Sequence, residues 1–310
     1  MTHAAGTYHW PVMVSEVLES LGVHPGGTYI DCTLGDGGHA VAILEAANAG
    51  PDKQGVHGRM LGLDADPEAV VATAPRLADY GESMTIVKTN FSNLEQAATD
   101  SGFVPADGVL FDLGLSSRQL DAEDRGFSFR RAASLDMRFD AESELTADEI
   151  VNEWSEVDLA NVIFEFGEER RSRRIAKAIV LARPVHDALE LADIVARSAG
   201  YPRGRTHPAT RTFQALRMAV NHEIESLSAG LEQATRVLDE GGRLVTISYH
   251  SIEDRVIKRF VVASDSLRKV TKKVIKPSKA EVERNPRSRS AKVRVAERLT
   301  PTTDSAGSNR

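Results

Sequence analysis

The stretch Tyr29-Ile30-Asp31-Cys32-Thr33-Leu34-Gly35-Asp36-Gly37-Gly38-His39 constrains the fold of this chain more than any other. Pro25-Gly26-Gly27 turns the backbone ahead of it, and Tyr29, Ile30 and Thr33 suit a short buried strand. Ala40-Val41-Ala42-Ile43-Leu44 continues as a helix able to lie back on a sheet. Between strand and helix, glycines at 35, 37 and 38 carry no Cβ, so the backbone can take positive φ and admit a ligand close to its amides. A strand, a glycine turn and a helix near the N-terminal end commonly hold a nucleotide-like cofactor. Such turns also join strands to helices with no ligand, so the turn alone does not decide the matter. The dinucleotide fingerprint is not met, because Ala40 stands where its last glycine belongs and Asp36 would repel a pyrophosphate. An acidic turn suits a cationic cofactor without phosphates.

The rest of the chain extends this unit and then interrupts it. Pro11 to Leu21 reads as a first helix with an apolar stripe that Gly22 ends. Arg59 to Asp64 is a second strand, and Pro67 opens the helix that follows. Asp64 therefore sits at a strand's carboxyl end, where such sheets accept hydrogen bonds from ribose hydroxyls; capping the helix is the alternative for Asp64 and the favoured reading for Asp66. Met84 to Val87 is a third strand with Phe91 just beyond it, able to lie on a base or to fill core. Gly108 to Gly114 is a fourth, an apolar run ending in Asp112-Leu113-Gly114. For about a hundred residues thereafter no comparable strand occurs, and capping-box signals at Thr146 and Ser155 start helices instead.

Pro208 is expected to open one long helix carrying Phe213, Leu216, Val220, Ile224, Leu227 and Leu231. Arg243 to Ser248 is a fifth strand, Ile252 to Val262 a helix and Val293 to Ala296 a last strand. The pattern predicts an α/β fold with a mostly parallel sheet. Its domain is discontinuous, 1–115 and 208–300, and is interrupted by an all-helical inserted domain at 116–207; 301–310 reads as a disordered tail.

Composition narrows the function. No run of 18 apolar residues occurs and the N-terminus has no signal-like pattern, so a soluble, cytoplasmic protein with no membrane contact is expected. Cys32 is the single cysteine, which rules out an intrachain disulfide or a thiolate metal cluster, and no metal is expected. Net charge is −7, yet Arg268 to Arg298 holds twelve Lys or Arg against three acids, about +9 on its own. A basic segment on an acidic body recruits anions. With aromatics at only 5%, stacking on an aromatic platform is not the expected mode of any nucleic-acid contact.

Ordered along the chain are His9-Trp10-Pro11-Val12, Gly35 through His39, Asp112-Leu113-Gly114-Leu115-Ser116-Ser117-Arg118-Gln119, Arg125-Gly126-Phe127-Ser128-Phe129 and Leu135-Asp136-Met137-Arg138. They are followed by Phe166-Gly167-Glu168-Glu169-Arg170, His207-Pro208-Ala209-Thr210-Arg211 and Ser248-Tyr249-His250-Ser251-Ile252-Glu253. Together these resemble the bacterial 16S ribosomal RNA cytosine-N4 methyltransferase family, RsmH or MraW, over nearly the whole length. The resemblance implies a class I Rossmann-like methyltransferase fold, S-adenosylmethionine as methyl donor, and a decoding-centre cytidine of 16S rRNA in the small ribosomal subunit as acceptor. It implies donor contacts by Gly37, Gly38, His39, Asp64, Phe91, Asp112 and Gln119. Pairing with a second copy is compatible with the sequence.

The residues agree with that chemistry. A cytosine amine is a poor nucleophile, so acceptors must orient its protons while the carbon–nitrogen bond forms in line. The Leu113 carbonyl, the Asp112 carboxylate and the hydroxyls of Ser248 or Ser251 are candidates. His250 invites a substrate-positioning or proton-transfer role, or else only orients the loop before a capping box begun by Ser251. His207 reads as structural. Arg203, Arg205 and Arg211, with Arg170, Arg171, Arg173, Arg174 and the basic segment, are candidates for phosphate contacts on RNA. Methylation at a pyrimidine ring carbon generally needs a thiolate, and a thiol inside a strand is a poor one. Two other classes stay open at this level. A nicotinamide-dependent oxidoreductase fits the first half of the sheet, and a non-catalytic RNA-binding module fits the basic patches.

Overall fold

Each strand of the sheet is short, apolar and closed at its carboxyl end by a turn. The computed structural model describes residues 10–50, 56–122, 124–199 and 207–300. Helix α1 (Val14–Leu21) ends at Gly22 in the left-handed region, and β1 (Thr28–Asp31) runs through the glycine turn into α2 (Gly38–Ala47). Then come β2 (Arg59–Asp64), α3 (Pro67–Leu77), β3 (Met84–Lys88), α4 (Leu94–Asp100) and β4 (Ala106–Asp112). Pro67 opens α3 as expected, and the Asp66 carboxylate caps it by accepting from Glu68 N at 3.0 Å.

Six helices follow: α5 (Ser117–Asp121), α6 (Ala147–Asn152), α7 (Glu156–Gly167), α8 (Ser172–Ala182), α9 (Ala188–Ala199) and α10 (Thr210–Val220). The chain then resumes with α11 (Glu223–Val237), β5 (Leu238–Ser248), α12 (Ser251–Ala263), β6 (Leu267–Lys269), α13 (Lys279–Arg284) and β7 (Lys292–Arg298). Regular pairing of β5 with β4 starts at Arg243, where the sequence places the strand; the register breaks just before it. The three-residue strand β6 has no signal in the sequence, because its pattern is too short to show a period.

The seven strands lie in the order β3-β2-β1-β4-β5-β7-β6. The pairs among β1 to β5 are parallel, and β7 runs antiparallel to both β5 and β6. This is the mostly parallel α/β sheet expected. Alternation decides what each face buries. Ile30, Leu61, Val109 and Phe111 pack with Leu227, Leu231 and Val237 of α11, whereas Tyr29, Met60, Leu110 and Val245 pack with Val17, Ile43 and Leu44. Because β2 and β4 flank β1 on opposite sides, the connections diverge there, and the carboxyl ends of β1 and β4 form the switch point at which sheets of this kind bind ligands.

Two compact units result, Met1–Gly114 with Ser226–Arg310, and Leu115–Glu225. The chain thus returns to the first unit at Ser226, where the sequence pattern places the return at 208. The long helix expected from Pro208 is two helices, broken at Asn221 and at His222, whose φ is 47°. The Asn221 amide donates to the Met137 carbonyl (2.7 Å) and its oxygen accepts from Phe139 N (2.7 Å), so α10 is tied to the irregular stretch around 137–139. An apolar period runs unbroken through 220–224 and hides this break. Initial residues also differ, since α1 starts at Val14 and not at Pro11. The 301–310 tail lies outside the described residues.

The helical unit has its own core, with Leu159, Ile163, Ile175, Ile179, Leu191, Val195, Phe213 and Leu216 among its buried side chains. Its irregular stretch is held by buried turns more than by regular pairing. Gly126 sits at φ +71°, and a Cβ there would fall 2.0 Å from the Ser134 carbonyl oxygen. Gly126→Ala is therefore expected to destabilise the protein by more than about 3 kcal/mol, through both strain and overlap. Chemical denaturation followed by far-ultraviolet circular dichroism checks this; an unchanged midpoint would contradict it.

Candidate functional site

The site is built at the carboxyl rim of β1, β2 and β4, within the sheet unit. Asp31, at the end of β1, is buried, and its Oδ1 accepts from Thr33 N (3.0 Å) and from the Thr33 hydroxyl (3.1 Å). The same hydroxyl accepts from Asp112 N at 2.7 Å. One threonine thus joins the end of β1 to the end of β4. Burial pushes the Asp31 carboxyl up to about 6, with nearby His39 acting in the opposite direction.

The glycine turn is fastened from below. Leu34 N donates to the Leu63 carbonyl (2.8 Å) and Gly35 N to Asp64 Oδ2 (2.7 Å). Asp64 Oδ1 accepts from Asp66 N at 2.9 Å, and burial pushes this carboxyl up to about 6. Asp66 is the helix cap; Asp64 anchors the turn, a third role beside the ribose contact and the cap that the sequence offers. From α3, the Thr73 hydroxyl donates to the Gly35 carbonyl (2.7 Å) and Arg76 to the Asp36 carbonyl (2.8 Å). Gly37 adopts φ +72° at the start of α2, and a Cβ there would stand 2.7 Å from Thr73 Cγ2, so glycine is required twice over.

At the end of β4 the Asp112 carboxylate is held on both sides. Tyr249 donates its hydroxyl to Oδ1 at 2.8 Å, and His39 Nε2 lies 3.4 Å from Oδ2. The Tyr249 ring lies against Gly114, where a Cβ would come within 2.7 Å of it. Burial raises the Tyr249 hydroxyl well above its ordinary range, with Asp112 adding to the effect, so it stays a donor. Sequence reasoning passes over Tyr249 and Thr33. Tyr249 follows β5 directly, as Leu113 follows β4, and that shared position is the only signal for it.

The expected donor residues Gly37, Gly38, His39, Asp64 and Asp112 come together here. His39 is 6% exposed, yet neither ring nitrogen makes a hydrogen bond among the described residues. Nε2 already lies beside Asp112, and the buried Nδ1, with no partner among the described residues, suits a ligand that supplies one. The rim otherwise offers the carboxylates of Asp31, Asp64 and Asp112, which suit hydroxyl groups and positive charge and would repel phosphate. Phe91, half-buried, meets Phe111 edge to face at 5.5 Å and packs near Gly230. It is partly buried and packs against the core from its edge.

The remaining candidates have varied surroundings. Ser248 is fully buried, and its hydroxyl has no partner among the described residues. His250, and not Ser251, caps α12: its Nδ1 accepts from Glu253 N (3.4 Å), while Glu253 Oε2 accepts from Tyr249 N (2.9 Å) and His250 N (3.3 Å). Its Nε2 lies 2.9 Å from Glu253 Oε1, so both ring nitrogens face one carboxyl-bearing residue. Ser251 is exposed at the first position of that helix.

In the helical unit, Gln119 completes a capping box with Ser116, which the Ser-x-x-Gln spacing could have revealed. There too, Arg211 donates to the Glu168 carbonyl (3.1 Å) and stays 57% exposed, and His207 stacks on Phe129. Arg170, Arg171, Arg173 and Arg174 are all exposed around the start of α8. Arg203 and Arg205 lie outside the described residues. The basic segment is partly neutralised within the fold, as Arg294 and Lys292 meet Asp254 and Arg268 meets Glu297.

Asp31 generates a test. Below pH about 4 it is protonated folded or unfolded and resembles Asn; above about 6 it is ionised in both states and its buried charge opposes folding. The wild type should therefore lose stability relative to Asp31→Asn as pH rises through that window, by up to about 1.4 kcal/mol per pH unit, with a level difference above it. Urea denaturation of both proteins at several pH values measures this. A difference that does not change with pH would contradict the burial account.

Residues 6–299 match the MraW methylase family. A protein of Dehalococcoides mccartyi called ribosomal RNA small subunit methyltransferase H is 48% identical over 309 residues, covering 94% of this chain and 86% of its own. A Nostoc protein of the same name is 48% identical over 298 residues, covering 96% and 94%. One from Symbiobacterium thermophilum is 45% identical over 315 residues, covering 94% and 97%.

Proposed function

The chain belongs to the MraW methylase family, and from that premise we propose that it transfers a methyl group from S-adenosylmethionine to the N4 amine of a decoding-centre cytidine in 16S rRNA. The coarser activity, methylation of small-subunit ribosomal RNA, goes with the family. Family membership also removes the oxidoreductase and the non-catalytic RNA-binding module from consideration.

The observation that carries the finer proposal is the Asp112 carboxylate at the end of β4, fixed by the Tyr249 hydroxyl and by the bond of the Asp112 amide to Thr33. An exocyclic amine carries two protons and a delocalised lone pair. Two acceptors at fixed positions hold both protons and turn the lone pair outward, which is the alignment that transfer needs. Asp112 and the Leu113 carbonyl are such a pair, and negative charge already in place favours an amine that becomes positive. S-adenosylmethionine, when bound, supplies a methyl group on a positively charged sulfur. Gly37, Gly38, His39 and Asp64 are the residues that would hold it, with Asp64 offering lone pairs beyond those used by Gly35 and Asp66.

Ser248 and His250 serve, in this account, to set the loop that carries Tyr249, and Ser251 stands exposed for substrate. Cys32 speaks against ring-carbon methylation, since it is 2% exposed and burial raises its thiol well above the ordinary range. On the helical unit, the exposed arginines around the start of α8 with Arg203, Arg205 and Arg211 supply phosphate contacts that position RNA without reading its sequence.

Asp112→Ala should reduce methyl transfer by roughly 10²-fold or more, the loss typical of one preorganised electrostatic group. Mass mapping of nucleosides in undermethylated small subunits, treated with wild type or variant, reads both rate and product. Appearance of ring-carbon or ribose methylation in place of N4-methylcytidine would overturn the assignment. Replacing Arg203 and Arg205 together with Ala should weaken RNA binding and lower its salt dependence while donor affinity stays unchanged. Equal loss of both affinities, measured by filter binding and calorimetry, would count against their role.

A further inference from the structure

Of the motifs along the chain, the one beginning His9-Trp10-Pro11-Val12 has no part in the chemistry above. Its described part lies on the glycine turn. Ring carbons of Pro11 stand 2.9 to 3.1 Å from where a Cβ on Gly38 would be, so residue 38 must be glycine because Pro11 closes over it. Val12 and Met13 are buried behind it. Met13 adopts φ 55° and ψ 42°, a left-handed conformation that a residue with a side chain takes at a cost of about 1 kcal/mol or more. Something must hold it there.

Two side chains from the far end of the chain do so. Met13 N donates to Glu281 Oε1 at 3.2 Å, across 268 residues of sequence. Asn285 Nδ2 donates to the Trp10 carbonyl at 3.0 Å, across 275. Glu281 and Asn285 are each 8% exposed, in a segment whose lysines and arginines mostly face solvent. Arg284 accompanies the other Glu281 oxygen at 2.7 Å. The segment is itself braced, for Ser278 caps α13 through Glu281 N, and the Ser288 hydroxyl donates to the Asn285 carbonyl at 2.7 Å. Burying a carboxylate and an amide is unfavourable unless each is used, and each is used on the same short piece of backbone.

We infer that Glu281 and Asn285 are positioning residues of the methyl-donor site, acting through Trp10–Met13 to seat Pro11 on Gly38 and so fix the course of the glycine turn. The inference rests on the reading that S-adenosylmethionine binds at that turn. Donor affinity then depends on a segment remote in sequence, and by linkage the donor tightens the hold on residues 10–13. A purely structural tie between chain ends would lower thermal stability without this split between binding and turnover.

The test uses the full-length chain and S-adenosylhomocysteine, which binds without turnover, in titration calorimetry. Glu281→Ala and Asn285→Ala should each weaken binding about tenfold, equivalent to about 1.4 kcal/mol. Glu281→Gln keeps an acceptor for Met13 N and should stay within about threefold of wild type, and single-turnover rates at saturating donor should stay within about twofold in all three. Wild-type affinity in both alanine variants, or a matching fall in the saturated rate, would overturn the inference. Hydrogen exchange in the wild type supplies a readout independent of variant folding: amides of residues 12–17 should exchange more slowly with S-adenosylhomocysteine bound, and unchanged exchange would overturn it. A wild type that does not bind S-adenosylhomocysteine overturns the donor reading and this inference with it; a wild type that binds, with unaffected variants, overturns this inference alone.

Discussion

The Thr33 hydroxyl lies where two neighbouring strands end, and it donates to Asp31 of one while accepting from the backbone of Asp112 in the other. Strand ends in a parallel sheet are otherwise free to splay, because ladder hydrogen bonds stop there and the connections leave in opposite directions. A bond across that gap sets the separation of the glycine turn from Asp112. Tyr249, reaching over from the end of β5, donates to the Asp112 carboxylate itself. Three strand ends are thereby joined through short, partly buried polar contacts, which hold geometry more firmly than they would in water.

That arrangement carries a cost, which shows in the titration of its members. Asp31 is buried and Asp64 partly so, and both are pushed up to about 6, so the rim concentrates carboxylates that burial disfavours in their charged form. A site assembled for stability alone would place apolar side chains there. Carboxylates whose charge burial disfavours, beside an imidazole whose Nδ1 has no partner among the described residues, make sense where a positively charged, hydroxyl-bearing ligand completes the set. Backbone conformation follows the same logic, with left-handed φ at Gly35 and Gly37, where glycine takes it freely, and at Met13, where it is strained.

Much of this was legible in the residues. Strand, glycine turn and helix were visible at 29–44 because period and turn chemistry agree there, and Asp64 and Asp112 could be placed at strand ends from the same pattern. Where the pattern was continuous across a break, it misled: the apolar steps from Phe213 to Leu231 run through Asn221 and His222, and only a tertiary partner, the backbone at 137–139, ends the helix. Thr33, Tyr249, Glu281 and Asn285 act on residues far along the chain, and no local spacing reports such pairs. His250 and Gln119 illustrate a third case, in which chemistry-bearing side chains are shared with helix caps.

The central claim is that a methyl donor lies along the carboxyl rim of β1, β2 and β4 with its reacting end at Asp112. A crystal structure of the protein with S-adenosylmethionine bound tests this most directly. The account predicts ribose hydroxyls within hydrogen-bond reach of Asp64, a His39 ring nitrogen with a partner, and the methyl group facing the Asp112–Leu113 strand end. A donor bound elsewhere on the sheet unit, or a rim left filled by protein side chains with Asp64 and Asp112 remote from the ligand, would contradict it.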